Sequence, residues 1–140
     1  MEIKNATTEK EIQQCWEVLK ALRPNLEENR FVTVISEMIG EGYQLAYIEE
    51  KGNAISAIGF RYLQFLYNGK HFYIDDLSTL TESRGRGLPG KLVDYVVELA
   101  RQKGYDYVTL DSGYSRFDAH KLYLNKGFIL ASHHFSKKLS

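Results

Sequence analysis

"YIDDLSTLTESRGRGLPGKL", residues 73–92, changes character in the middle. Its first half, Ile74 to Leu80, is rich in apolar and β-branched residues and reads as part of a strand. Its second half holds Gly85-Arg86-Gly87-Leu88-Pro89-Gly90, a G-x-G-x-x-G, and opens onto a helical repeat. From Pro89 to Lys103, Leu92, Val93, Val96, Val97 and Ala100 share one helical face, and Gly104 is placed to stop it. Glycines at 85 and 87 let successive N–H groups converge into an anion nest, and a helix starting near Pro89 adds its positive end. Arg84 and Arg86 offer charge-assisted hydrogen bonds beside it. The same residues also read as a plain glycine turn before a proline-started helix.

A dinucleotide-binding turn needs an acidic residue about twenty positions on, and Asp111 falls near that distance. Two features count against this reading. That fold continues with several strand–helix units, yet fewer than forty residues follow Gly104, and Thr81-Glu82-Ser83-Arg84 separate the glycines from their strand. A kinase loop would need a lysine strand and a catalytic-loop motif, and neither is present.

Upstream of this stretch, Ile12, Cys15, Trp16, Leu19 and Leu22 recur at helical spacing. Thr7 or Thr8 can cap that helix, with Glu11 in capping-box position after Thr8, and Arg23-Pro24 ends it. A second helix is expected from about Glu28 to Met38, stopped by Gly40 and Gly42. Tyr43–Glu49, Ala54–Leu66 and His71–Leu80 read as an antiparallel meander with turns at Lys51-Gly52-Asn53 and Asn68-Gly69. Downstream, Tyr105–Leu110 reads as a strand, Phe117–Asn125 as a helix and Phe128–Lys137 as a final strand or two. The order α-α-β-β-β-α-β-α-β predicts one α+β domain over residues 1–140, with a mixed, mostly antiparallel sheet flanked by helices.

Composition sets the frame. The 140 residues suit one domain, and 18 Lys/Arg against 18 Asp/Glu leave no net charge, so nucleic acid is not an expected partner. The balance hides an asymmetry: residues 1–50 carry 5 basic and 10 acidic side chains, residues 51–140 carry 13 and 8. Such asymmetry also arises from surface scatter. No long apolar run suggests a membrane span, and the opening MEIKNATTEKEIQQ lacks the apolar core of a secretory signal, so a cytoplasmic location and no membrane partner are expected. Cys15 is the sole cysteine and reads as a packing residue. The adjacent His133 and His134 would point apart on a strand, His71 and His120 read as core or surface, and no metal is implied.

The quoted stretch resembles the acetyl-CoA-binding motif of the GNAT superfamily of N-acyltransferases, R/Q-x-x-G-x-G/A followed by an apolar residue. Arg84, Gly87 and Leu92 match. "RFDAHKLYLNKGF", residues 116–128, resembles that family's second motif through Ala119, Leu122, Tyr123, Gly127 and Phe128. One helix and one strand separate the two, as in the family, and the resemblance covers essentially the whole chain. Two positions depart from it. Pro89 stands where Gly or Ala is usual and removes one N–H from the nest, and Arg116 stands where Asn is frequent.

The resemblance implies an acetyl-CoA-dependent N-acetyltransferase, with acetyl-CoA as co-substrate and a small-molecule or peptide amine as acceptor, attacked directly in a ternary complex. In the family, one strand splays from its neighbour and the arm of acetyl-CoA pairs with its backbone. By position that strand is Ile74 to Leu80, with main-chain groups of Leu77 and Thr79 as partners and Ser78 between them on the cofactor-binding segment. The pyrophosphate is expected on Arg84, Gly85, Arg86, Gly87, Leu88 and Gly90, and Arg116 faces either cofactor or substrate. Tyr123 matches the general acid, which donates to the departing sulfur or acts with a locally lowered pKa. Asp75 lies where many relatives carry an acidic base; strand alternation sends Asp75 and Asp76 to opposite faces, so one alone would reach the cleft. The aromatic run Tyr62–Tyr67 suits core or a homodimer surface. A non-catalytic acyl-CoA sensor or a protein-interaction module on the same fold is the alternative.

Overall fold

The computed structural model describes Met1–Ser140. The chain divides into two compact units, Met1–Leu110 and Asp111–Ser140. In the first, β1 (Lys4–Asn5), α1 (Glu9–Gln14), α2 (Trp16–Leu22) and α3 (Glu28–Gly40) precede the meander β2 (Tyr43–Glu50), β3 (Asn53–Phe65) and β4 (Gly69–Thr79). A single 3-10 turn, Thr81–Ser83, leads to α4 (Leu88–Gln102) and β5 (Tyr107–Leu110). The second unit holds α5 (Phe117–Asn125). The strands lie in the order β1-β2-β3-β4-β5, antiparallel except for the β4–β5 pair. The expected α+β class and mixed, mostly antiparallel sheet are what the chain forms.

Local chemistry accounts for most of these elements. Thr8 caps α1, its hydroxyl accepting from Glu11 N while Glu11 reaches back to Thr8 N, a complete capping box. Lys51 and Gly52 both have positive φ, 54° and 81°, so the two-residue link between Glu50 and Asn53 matches the strand twist. Gly104, at φ 73°, follows α4. Tyr43, Leu45, Tyr47 and Ala57 on one sheet face are buried with Ile12, Cys15, Val18 and Phe31 from α1, α2 and α3. The opposite face, including Ile58, Phe60, Phe72 and Ile74, is buried where α4 packs on β3 and β4. From α4 it receives Leu92, Val93 and Val96, all fully buried, each contributing about 1.5–3 kcal/mol by removal from water.

Two expectations are corrected, and one strand has no counterpart in the sequence pattern. The first helix is two helices, because at Cys15 the N–H also bonds Ile12 O and the turn tightens; the apolar phase survives the break, so periodicity does not reveal it. Cys15 is fully buried, and desolvation pushes its thiol up to about 12. Strand β1 is two residues long and has no period to read. The expected strand at Phe128–Lys137 does not form: the segment, His133 and His134 included, has no regular secondary structure and pairs with no strand. Ile129, Leu130 and Phe135 are 80–90% exposed there, so the burial that favours a strand is missing.

Backbone N–H groups of Thr8 and Thr7, and then the Thr8 hydroxyl, hold the Glu11 carboxyl down at about 2, from an ordinary 4.5. A depressed carboxylate stabilises above its unfolded value and loses that contribution as pH falls through its folded value. The stability advantage over Glu11→Gln should therefore be full above pH 4.5 and shrink toward pH 2. Urea unfolding of both proteins at pH 7 and pH 3 checks this; a constant gap would contradict it.

Candidate functional site

Strand β4 changes partners along its length. From His71 to Ile74 it pairs with Tyr107–Leu110 of β5, and there the pairing ends. On its other edge it stays joined to β3 through Thr79. Leu80 N–H donates to Ile55 O, at 2.9 Å, on the β3 side. Backbone direction alternates along a strand, so Ser78 faces β3 as well, and the main-chain groups of Leu77 and Thr79 face the edge that β5 has left. The side chains in this segment are engaged elsewhere. Leu77 is buried, Ser78 Oγ donates to Val18 O at 2.7 Å, and Thr79 Oγ1 lies 2.7 Å from Ser56 Oγ.

At the same point β4 carries a bulge. Phe60 of β3 faces Ile74 and Gly59 faces Asp76, so Asp75 is the extra residue. The alternation expected for Asp75 and Asp76 is thereby cancelled. Tyr73, opposite Arg61, shares a face with Asp75 two residues on, and Asp76, opposite Gly59, returns to that same face. Both carboxylates are on the side of α1–α3. Arg61 Nε donates to Asp75 Oδ1 and Oδ2 at 3.1 and 3.0 Å, and its Nη2 approaches Oδ2 at 2.9 Å. Arg23 Nε and Nη2 donate to Asp76 Oδ1 at 3.1 and 2.9 Å, and Nη2 also reaches Asp75 O at 3.1 Å. The buried Tyr43 phenol donates to Asp76 Oδ2 at 2.8 Å, with the Arg61 guanidinium 5.5 Å from its ring centroid.

Gly59 makes this crossing possible. A Cβ there would lie 1.8 Å from Tyr43 Oη, so only a bare backbone lets the phenol pass over β3 to β4. Burial pushes the Asp75 carboxyl above its ordinary value, while Arg61 pulls it back. Sequence reading missed Arg61, Arg23, Tyr43 and Gly59. The available signal was Gly59, a glycine inside an otherwise strand-like run, which marks a bulge or a close backbone approach.

The glycine turn follows. Gly85 and Gly87 take φ 81° and 73°, and Gly87 is the N-cap of α4. No carbonyl pairs with the N–H of Gly85, Arg86, Gly87, Leu88 or Gly90; the first helical bond is Lys91 N to Gly87 O. Pro89 sits in the first turn of α4, where its missing N–H removes no intrahelical bond. Arg84 is exposed with no acidic partner, whereas Arg86 is clamped to Glu50 at 2.7 and 3.1 Å. Unpaired amides, a helix start and a free guanidinium fit a phosphate-bearing ligand such as CoA.

In the second unit, Tyr123 lies in α5, half-buried, with no hydrogen-bond partner at its hydroxyl. Phe128 N bonds Tyr123 O and Gly127 N bonds Leu124 O, with Gly127 at φ 90°, a Schellman ending. That ending brings the Phe128 ring to 5.9 Å from Tyr123. Burial raises the phenol's pKa against a lowering pull from Arg116. Arg116 is the exposed N-cap residue of α5, and His120 Nε2 lies 2.9 Å from Gly113 O. A shallow concavity of about 380 Å³, lined by Lys10, Gln13, Trp16, Glu28 and neighbours, shares none of these residues.

The GNAT acetyltransferase family matches residues 8–128, and the chain belongs to that family. It is 28% identical over 137 residues, 96% of each chain, to the uncharacterized N-acetyltransferase YhdJ of Bacillus subtilis. Its fold is similar to that of a transcriptional regulator from Bacillus halodurans, with TM-score 0.85 and 20% identity over 99% of both chains. An aminoglycoside N-acetyltransferase solved in complex with CoA gives TM-score 0.83 and 16% identity over 99% of this chain and 95% of that one.

At Gly87 a β-carbon would meet no atom within 4 Å, so the positive φ is the constraint rather than lack of room. Gly87→Val should lose about 1–2 kcal/mol of stability, the penalty for a left-handed side-chain residue. Gly87→Asn should lose much less, since asparagine tolerates that region. Chemical denaturation checks both; equal losses would contradict the backbone account.

Proposed function

We propose that the two units act as one N-acetyltransferase domain that moves the acetyl group of acetyl-CoA to a primary amine of a small molecule or an exposed protein amine. The observation that carries this reading is the open β4 edge at Leu77 and Thr79, followed in the chain by the unpaired amides of residues 85–88 and Gly90. The edge would pair with the amide-bearing arm of the co-substrate like an added strand. The amides, with Arg84, would hold its pyrophosphate. Arg86 would join them only by leaving Glu50. Arg116 is retained as a further contact to cofactor or substrate.

In the reaction the free amine attacks the thioester carbonyl carbon in a ternary complex. A C–N bond forms, the C–S bond breaks, and the proton that the nitrogen loses on attack passes through water to the departing thiolate. Asp75 would attract the cationic amine and receive its proton through water, helped by the upward push of burial on its carboxyl. Tyr123 would donate a hydrogen bond to the departing thiolate. Full proton transfer from a phenol near 10 to a thiol near 8.5 is uphill by about 2 kcal/mol, and the raised pKa of Tyr123 increases that gap. Its role is therefore hydrogen-bond stabilisation. The ion pair that occupies Asp75 favours a second reading, a non-catalytic acyl-CoA sensor, because a base already clamped by Arg61 is not free to act.

Tyr123→Phe keeps the ring against Phe128 and should lower kcat about 10- to 1000-fold, with acetyl-CoA affinity little changed. Thiol release over an amine panel, with calorimetric CoA binding for each protein, measures both. Parent-like turnover in the variant would remove Tyr123 from the reaction. CoA binding without acetylation of any amine would favour the sensor.

A further inference from the structure

The bulge on β4 presents two carboxylates and two guanidiniums on one face, and they are not equivalent. Asp76 is held on both oxygens, by Arg23 on Oδ1 and by the buried Tyr43 phenol on Oδ2. Its side chain is 15% exposed. Asp75 has one side-chain partner, Arg61, and these two groups are 20% and 24% exposed. Arg23 on the Asp76 side is the more open guanidinium, at 48%, but the Asp76 carboxylate is held a second time by Tyr43; the Asp75 carboxylate is held by Arg61 alone, so the Arg61–Asp75 pair is the one a ligand can exchange.

We propose that the acceptor is a zwitterion, an amine carrying an oxyanion such as a carboxylate a few bonds away, bound by partner exchange with the Arg61–Asp75 pair. The inference rests on the acetyltransferase reading above and names the acceptor class for the same site. The incoming ammonium takes Asp75 and the acceptor's oxyanion takes Arg61. The four protein charges, Arg23, Arg61, Asp75 and Asp76, sum to zero. A zwitterion keeps that balance and leaves both exchanged groups paired. A simple alkylamine that takes Asp75 leaves a half-buried guanidinium without its partner, and a diamine adds a further cation beside it. Removing one partner of a desolvated pair is disfavoured much more than replacing it. The planar fork of Arg61 is also suited to a two-oxygen anion: on Asp75 its Nε reaches Oδ1 and its Nη2 reaches Oδ2. The exchange frees the Asp75 carboxylate from its clamp when the acceptor arrives, which removes the objection that the ion pair raises against a base in this position.

The test compares glycine, β-alanine and 4-aminobutanoate with ethylamine, propylamine and butylamine as acceptors. Readouts are kcat/KM from thiol release and affinity for the CoA-loaded protein from calorimetry. The best amino acid should exceed its matched alkylamine by at least about tenfold, because a site built to pair a polar group rejects the analogue that lacks it. Arg61→Gln should collapse that ratio toward one. Arg61→Lys, which keeps the charge and loses the fork, should leave it in between and covers a failure of Arg61→Gln to fold. Equal use and equal binding of the two series by the parent would overturn the proposal, as would an equal loss for both series in Arg61→Gln. If no amine is acetylated yet the amino acids still bind more tightly than the alkylamines, the catalytic reading fails and a zwitterion remains the ligand class of the Arg61–Asp75 pair.

Discussion

The structure turns on the place where β4 stops pairing with β5. Up to Ile74 the two strands are neighbours in a parallel ladder, and from Asp75 onward β4 has a partner on one side only. Buried or not, a strand edge carries donors and acceptors that must find something to bond. Here the open edge is short, two residues' worth of outward-facing groups at Leu77 and Thr79. It is followed by a turn and a helix start with unpaired amides of their own. A ligand that offers amides and phosphates in sequence would pair with these groups.

The bulge at Asp75 is the second consequence of the same irregularity. An extra residue in β4 reverses the side-chain alternation, and two adjacent carboxylates end on one face of the sheet. Two like charges so close require compensation, and the chain supplies it from three separate elements: Arg61 on β3, Arg23 after α2, and Tyr43 on β2. Gly59 holds this arrangement together by having no side chain. The Tyr43 phenol is pushed well above its ordinary range by burial and by the Asp76 carboxylate, so it remains a donor. In the other unit a comparable device positions Tyr123. Gly127 supplies the left-handed residue that ends α5, and the Schellman bonds then fold Phe128 back onto the tyrosine ring.

Much of this was legible in residues 73–92 and 116–128, because glycine position, helix phase and turn chemistry are local. The G-x-G-x-x-G turn, the capping box at Thr8 and Glu11, and the bounds of α5 follow from neighbours in sequence. The break at Cys15 was not legible, since a tightened turn preserves the apolar phase. The bulge was hidden because register is a property of two strands, and Phe60 opposite Ile74 cannot be read from either alone. The ion pairs were hidden for the same reason: Arg61 and Asp75 are fourteen residues apart, Arg23 and Asp76 fifty-three. The segment after Phe128 was over-read, because strand-like composition without a pairing edge or a burying face does not make a strand.

Amide hydrogen exchange followed by NMR, with and without CoA, tests the central claim most directly. The account predicts that CoA slows exchange at Leu77 and Thr79 and at Gly85, Arg86, Gly87, Leu88 and Gly90. Ser78, whose N–H already faces β3, should change little. Slowing confined to other parts of the chain, or equal slowing at Leu77, Ser78 and Thr79 with none in the glycine turn, would contradict it.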